Sequence, residues 1–258
     1  MKRVVLLVIP ALIGGVVFTS CGGKDEENIS ETSSITSIVA SVENGSVFDP
    51  KIDDVVAFLY ELNEEFRLKT DEEFRLKTVK YVSGEFSIVF PETVNDRYLK
   101  NIDGGYPALK FSNKNVKGIS IYIDAYQSGA CVGNFYHAKN SDLQTEALFV
   151  YVDGNVNITG SDSYTNINRD QYGNVLGEHT SNTSYNVSLK KGWNIMYFTE
   201  THTRSGQKTT TSETVTTKVP DGMKWYFNGP GERTFQPKTM GLIFPPAFQK
   251  LIRVTYTF

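Results

Sequence analysis

Apolar and polar residues alternate with a period of two along most of this chain, the spacing that places successive side chains on opposite faces of a β-strand. The clearest run, Glu85–Phe90, reads EFSIVF, with Phe86, Ile88 and Phe90 on one face and Pro91 as the stop. GISIYIDAY (118–126) puts Ile119, Ile121 and Ile123 on one side, and SITSIVASV (34–42) is rich in β-branched residues before Asn44-Gly45 breaks it. Val55–Tyr60 is a short apolar run. ALFVYV (147–152) precedes Asp153-Gly154, which predicts a hairpin turn, and Gly192 opens an apolar strand through Phe198. Two long polar stretches, Tyr164–Val187 around DQYGN and Tyr197–Val219 around RSGQ, predict hairpins with turns at their tips. The second carries nine threonines, and Thr199, Thr201 and Thr203 alternate with Glu200 and His202 as on a solvated strand.

An internal repeat interrupts the pattern: Asn63–Thr70 (NEEFRLKT) recurs as Asp71–Thr78 (DEEFRLKT). Its composition favours helix, but Phe66, Leu68 and Thr70 alternate with Arg67 and Lys69. An eight-residue duplication preserves strand facing and rotates a helical face by about 80°. Strand, or strand–turn–strand, is the expectation. The turn-rich Asn101–Asn115 divides the body into β-sandwich units at 35–102 and 103–258, the second bearing the polar hairpins, with a terminal strand at the end of the chain. The fold class is all-β, one or two sandwich units.

Composition supports a real core: of 258 residues, 40% are hydrophobic and 12% aromatic. The net charge is −3; removing Lys2 and Arg3 with the leader leaves 24 basic against 29 acidic residues, or −5. No Lys/Arg stripe is present, which argues against a nucleic-acid partner. Val4–Phe18 is apolar, interrupted by Pro10, and about 22 Å long as a helix, short of a bilayer's hydrocarbon core. Residues 1–20 therefore read as a cleaved signal peptide, and 21–34, small and polar, as a flexible tether.

The motifs offer little chemistry. G-x-S-x-G, H-E-x-x-H, C-x-x-C, P-loop and G-x-G-x-x-G patterns are absent, and no cofactor or metal is expected. His137, His179 and His202 are isolated in sequence and expected at surfaces or in loops. Asp53-Asp54, Glu64-Glu65 and Glu72-Glu73 read as solvated charge, since neighbours on a strand face opposite ways. Asn166, Asn168 and Asp170 match three calcium-loop positions, but Gln171 and Gly177 fall where Gly and Glu are required, so a hairpin turn is expected. Cys131, in GACVGNF, is expected to be a buried thiol, and Trp193 and Trp225 to be core residues rather than sugar platforms.

Phe18-Thr19-Ser20-Cys21 resembles a bacterial lipobox, with Phe18 where Leu is usual, and Gly22–Glu27 (GGKDEE) resembles the surface-export signal of Bacteroidota lipoproteins. The resemblance implies acylation, palmitate included, at Cys21 and an outer-membrane protein anchored by lipid and facing the exterior. VENGSVFDPKIDDVVAFLY, GEFSIVFPETVNDRYL, LKKGWNIMYF and GMKWYF are similar to lipoproteins of unknown function from that group. These imply immunoglobulin- or transthyretin-like sandwiches and no transferable active site. The functional expectation is a non-catalytic binding or adhesion-type module with a glycan or protein ligand. Its alternatives are a structural component of envelope assembly and, third, a glycan hydrolase.

Overall fold

A computed structural model describes residues 34–61, 71–103, 107–140, 144–172 and 174–229. Cys21, the leader, most of the tether, the first repeat copy and the terminal strand lie outside these residues. The described residues belong to one compact unit. Its strands, in chain order, are β1 (Ser37–Ser41), β2 (Asp54–Leu59), β3 (Arg75–Lys80), β4 (Glu85–Val89), β5 (Lys100–Asn101), β6 (Leu109–Phe111) and β7 (Lys117–Gln127). They continue with β8 (Ala130–Ala138), β9 (Thr145–Val152), β10 (Val156–Arg169), β11 (Val175–Leu189), β12 (Gly192–Ser205), β13 (Lys208–Thr216) and β14 (Lys224–Asn228). The fold is all-β and sandwich-like.

The principal sheet runs β3-β2-β7-β8-β9-β12-β13-β11-β10-β6, with β5 on β7 and β14 on β8; β1 and β4 form a separate pair. Because β2 pairs with β7 from Asp54↔Tyr126 to Leu59↔Ile121, one sheet holds strands from both sides of the expected boundary at 102/103. The β1–β4 pair supplies the facing layer. Ile38, Ala40, Phe86 and Ile88 point inward and pack on Ile119, Ile121 and Ile123 of β7, the faces that the alternation predicts. Trp193 and Trp225 both lie in this core at 2% and 6% exposure, as expected. Trp193 stacks on Phe90 at 4.5 Å and donates its Nε1 proton to the Pro91 carbonyl, satisfying the one polar group that burial would otherwise strand. Trp225 stacks on Phe149 and on His137.

Tight turns fix the layer. Ser83-Gly84 and Ser128-Gly129 have positive φ at both positions, which suits two-residue hairpins before β4 and between β7 and β8. Gly45 lies against Gly84 so closely that a Cβ would come within 2.7 Å of backbone, and the Tyr81 hydroxyl donates to the Gly45 carbonyl at 2.9 Å.

A second core lies on the other face of the sheet. Val150 and Val152 of β9, Val156 and Ile158 of β10, Val187 and Leu189 of β11, and Met196 and Phe198 of β12 share one apolar cluster. The sheet therefore curls back on itself. This overturns the hairpin expected at Asp153-Gly154: β9 pairs with β12 and β10 with β11, so the turn is a crossover around the cluster. Turn residues fix a local bend; they do not fix which strands then pair. The second repeat copy divides into a 3-10 turn, Glu72–Phe74, and strand β3, which ends the sheet among the described residues. Phe74 leaves the alternation because the turn drops it into a small cluster with Val56 and Phe58.

Candidate functional site

Both polar segments form the predicted hairpins, β10–β11 and β12–β13. The structure also joins them. Strands β11 and β13 pair in parallel from Glu178↔Lys208 to Asn186↔Thr216, giving a four-stranded blade ordered β12-β13-β11-β10. Apolar burial lies at its base, in Val156, Ile158, Val187, Leu189, Tyr197, Phe198 and Val215; farther out, the polar Thr211 of β13 is also buried. Beyond the base, β10 runs exposed from Thr159 to Arg169 apart from half-buried Asp162. At about 3.4 Å per residue, the distal part projects on the order of 30 Å. With no apolar face to set it, register depends on side-chain pairs and on the base. Thr165 bonds Thr180 at 3.1 Å, Ser163 bonds Asn182 at 2.8 Å, and Lys208 pairs with Glu178 at 3.0 Å.

The registers place the side chains of one blade face on a grid. Thr199, Thr214, Ser184 and Ser161 lie across the four strands in the row nearest the base. Thr201, Ser212, Asn182 and Ser163 form the middle row, and Thr203, Thr210, Thr180 and Thr165 the distal one. Of these twelve positions eleven carry a hydroxyl and one an amide; none carries a charge or a large apolar group. All are exposed or half-buried. The Lys208–Glu178 ion pair and exposed Ile167 bound the grid at its distal end, where Glu178 faces Ile167 across the hairpin.

The opposite face has different chemistry. Glu200 lies opposite Glu213, and Glu213 lies opposite Thr183, which donates to its carboxylate at 3.3 Å. The buried Thr211 hydroxyl bridges two histidines, His179 Nε2 and His202 Nδ1, each at 3.0 Å. His202 Nε2 also reaches Glu200 at 3.2 Å. All three histidines sit on strands rather than in loops; His179 and His202 are exposed, and strand pairing brings them together from distant sequence positions. At the β10–β11 tip, one Asp170 oxygen accepts from the Tyr172 and Asn174 amides and the other from the Asn174 side chain. This is the turn expected there: the carboxylate is taken up by its own loop.

Elsewhere the acidic doublets are surface charge where described. Asp54 pairs with Lys80 at 2.7 Å, Glu72 with Arg75 at 3.2 Å, and Asp53 accepts from the Ser128 amide. Glu64 and Glu65 lie outside the described residues. Cys131 is exposed, not buried: it follows the Ser128-Gly129 turn at the open start of β8. Its pKa is nonetheless pushed up, first by removal of water around the sulfur and then by the Asp124 carboxyl.

Asp124 is not foreseen from the sequence. The IYIDAY alternation places it opposite the inward isoleucines, on the presumed solvent face. That face is covered by Val56, Phe58 and Phe74 and by Tyr98, Tyr122 and Tyr126, leaving Asp124 9% exposed. It sits between Val56 of β2 and Asn134 of β8, without an ion-pair partner among the described residues, and burial pushes its carboxyl up to about 7. His137, half-buried against Trp225, has its pKa lowered by burial, and its Nδ1 has no hydrogen-bond partner among the described residues.

Among the described residues no group of three or more His, Cys, Asp or Glu side chains could hold a metal ion. The blade presents an extended array of exposed polar groups, with the uncharged grid on one of its faces. The chain matches no family model, no curated protein and no solved structure.

Proposed function

We propose that this chain is a lipoprotein held in the outer membrane through Cys21, whose sandwich body displays the blade to the exterior as a non-catalytic binding or adhesion-type module. The observation that carries the binding role is the joining of the two polar hairpins into one sheet that has no core behind it. A long two-sided polar sheet gains little from burial, and its register is weakly set. Contact surface is what such an extension provides. The sequence before and after Cys21 supports the anchor: a short apolar leader, then a polar tether.

The test shortens both hairpins in the full chain. Asn-Gly turns would join Ser161 to Ser184 and Glu200 to Glu213, pairs already opposed in register. Cells displaying the native and shortened chains are compared for adhesion to mucin-coated surfaces and on a glycan array. Near-ultraviolet circular dichroism checks the body, where Trp193 and Trp225 report packing. Loss of adhesion with the body intact supports the proposal; unchanged adhesion refutes it.

A second reading, a structural component of envelope assembly, draws on the free edge of the blade. Strand β10 pairs with β6 only from Ile158 to Gly160, so among the described residues Ser161–Arg169 has a strand neighbour on the β11 side alone. An open edge is a template for strand addition. Co-purification of envelope proteins that Ser163→Pro abolishes would favour this reading.

A further inference from the structure

From the grid, and resting on the proposal that the blade is the binding surface, we infer that the ligand is a neutral, polyhydroxylated polymer lying across the hydroxyl face. The grid's composition disfavours the other common occupants of such a face; the exposed apolar side chains of Tyr172, Val175 and Leu176 lie beyond it, at the β10–β11 tip. A protein interface is organised around an apolar and aromatic core, with serine depleted; no such core exists among the twelve positions. An anionic polymer needs lysine or arginine; Lys208 lies only at the rim and is paired with Glu178. What remains is a surface whose groups both donate and accept, as sugar hydroxyls do.

Geometry adds a second constraint. Strand spacing sets neighbouring hydroxyls about 4.8 Å apart across the sheet and about 6.8 Å apart along each strand. Several are bonded to one another, as Thr165 is to Thr180, which fixes their rotamers and leaves further capacity on each oxygen. The threonine methyls between them suit the C–H edges of a sugar ring. The grid contains no aromatic platform, so no single ring is held tightly. Binding accumulates over many weak contacts, and long chains bind where short ones do not.

The test uses the full chain, immobilised through its lipid, with dextran, mannan and arabinoxylan as neutral probes and polygalacturonate and heparin as charged ones. At least one neutral polymer is retained, its retention rises with chain length, and binding is unchanged between about 0.05 and about 0.5 M salt. Replacing Thr180, Thr203 and Thr210 together by valine removes three hydroxyls while keeping shape and β-propensity, and binding falls about tenfold or more. The pair Ser181→Ala, Thr209→Val on the other face, which keeps the Thr183–Glu213 and Thr211–histidine bonds in place, leaves it unchanged. Preference for a charged polymer, failure of every neutral one, or indifference to the valine triple would overturn the inference. Hairpin shortening separates the two proposals: adhesion that survives shortening defeats the blade itself, whereas adhesion that is lost on shortening but indifferent to the valines defeats only the ligand class.

Discussion

Replacing Asp124 by Asn makes stability less dependent on pH, by an amount the structure sets. The carboxyl is 9% exposed, and burial raises its pKa from 3.8 to about 7. Each unit is about 1.4 kcal/mol, so the gap of about three units corresponds to about 4 kcal/mol. The sign follows from which state holds the proton. The folded chain keeps it to higher pH than the unfolded chain. The stabilising contribution is therefore complete below about pH 4, declines as the pH rises, and is gone above about pH 7. Asparagine has nearly the same shape and no charge. Any cost of its unpartnered amide, about 1–3 kcal/mol, applies at every pH and shifts the whole curve without tilting it. His137 titrates in both chains and cancels in the difference. Urea unfolding from pH 4 to 8, read by the fluorescence of Trp193 and Trp225, measures that difference. Asp124→Asn gains on the native chain by about 2–4 kcal/mol between the two ends, the lower figure allowing for local relaxation. Parallel stability curves for the two chains would refute the buried, unpaired carboxyl.

Three further outcomes follow from particular contacts. Gly133 has φ near 149°, and a Cβ there would sit 2.2 Å from the Asn228 carbonyl oxygen; Gly133→Ala should detach β14 from β8 and destabilise by about 3 kcal/mol, measured by thermal unfolding. Thr180 and Thr210 are register partners on parallel β11 and β13; with Cys131 replaced by Ser, Thr180→Cys with Thr210→Cys should oxidise to an intrachain disulfide, seen by peptide mapping, whereas persistent thiols would argue against hairpin joining. Cys21→Ala should abolish acyl labelling and release the protein from membranes, as metabolic labelling with a fatty acid and fractionation would read.

Much of the body is legible in the sequence because burial writes itself there as alternation. Phe86, Ile88 and Phe90, and Ile119, Ile121 and Ile123, face the core because no other face could receive them. The two polar hairpins are legible from their turns and from the alternation of Thr199, Thr201 and Thr203. Their joining is not. Strands polar on both faces carry no apolar code to select a partner, and parallel pairing of β11 with β13 depends on how the apolar bases of both hairpins pack in the second core. The same non-locality hides the crossover at Asp153-Gly154. Asp124 goes unseen because alternation identifies one buried face and is silent about a sheet covered on both. Cys131 is misplaced because small neighbours mark a turn as readily as a core.

A neutral polymer received on one face of the blade touches one set of threonines and spares the other, and threonine methyls read the two faces separately. In methyl-labelled full chain titrated with the neutral polymer it retains, resonances of Thr165, Thr180, Thr201, Thr203 and Thr210 should broaden. Those of Thr183, Thr209 and Thr211, on the opposite side of the same strands, should not. Broadening confined to the second set, or shared equally by both, would contradict a binding site on the hydroxyl face.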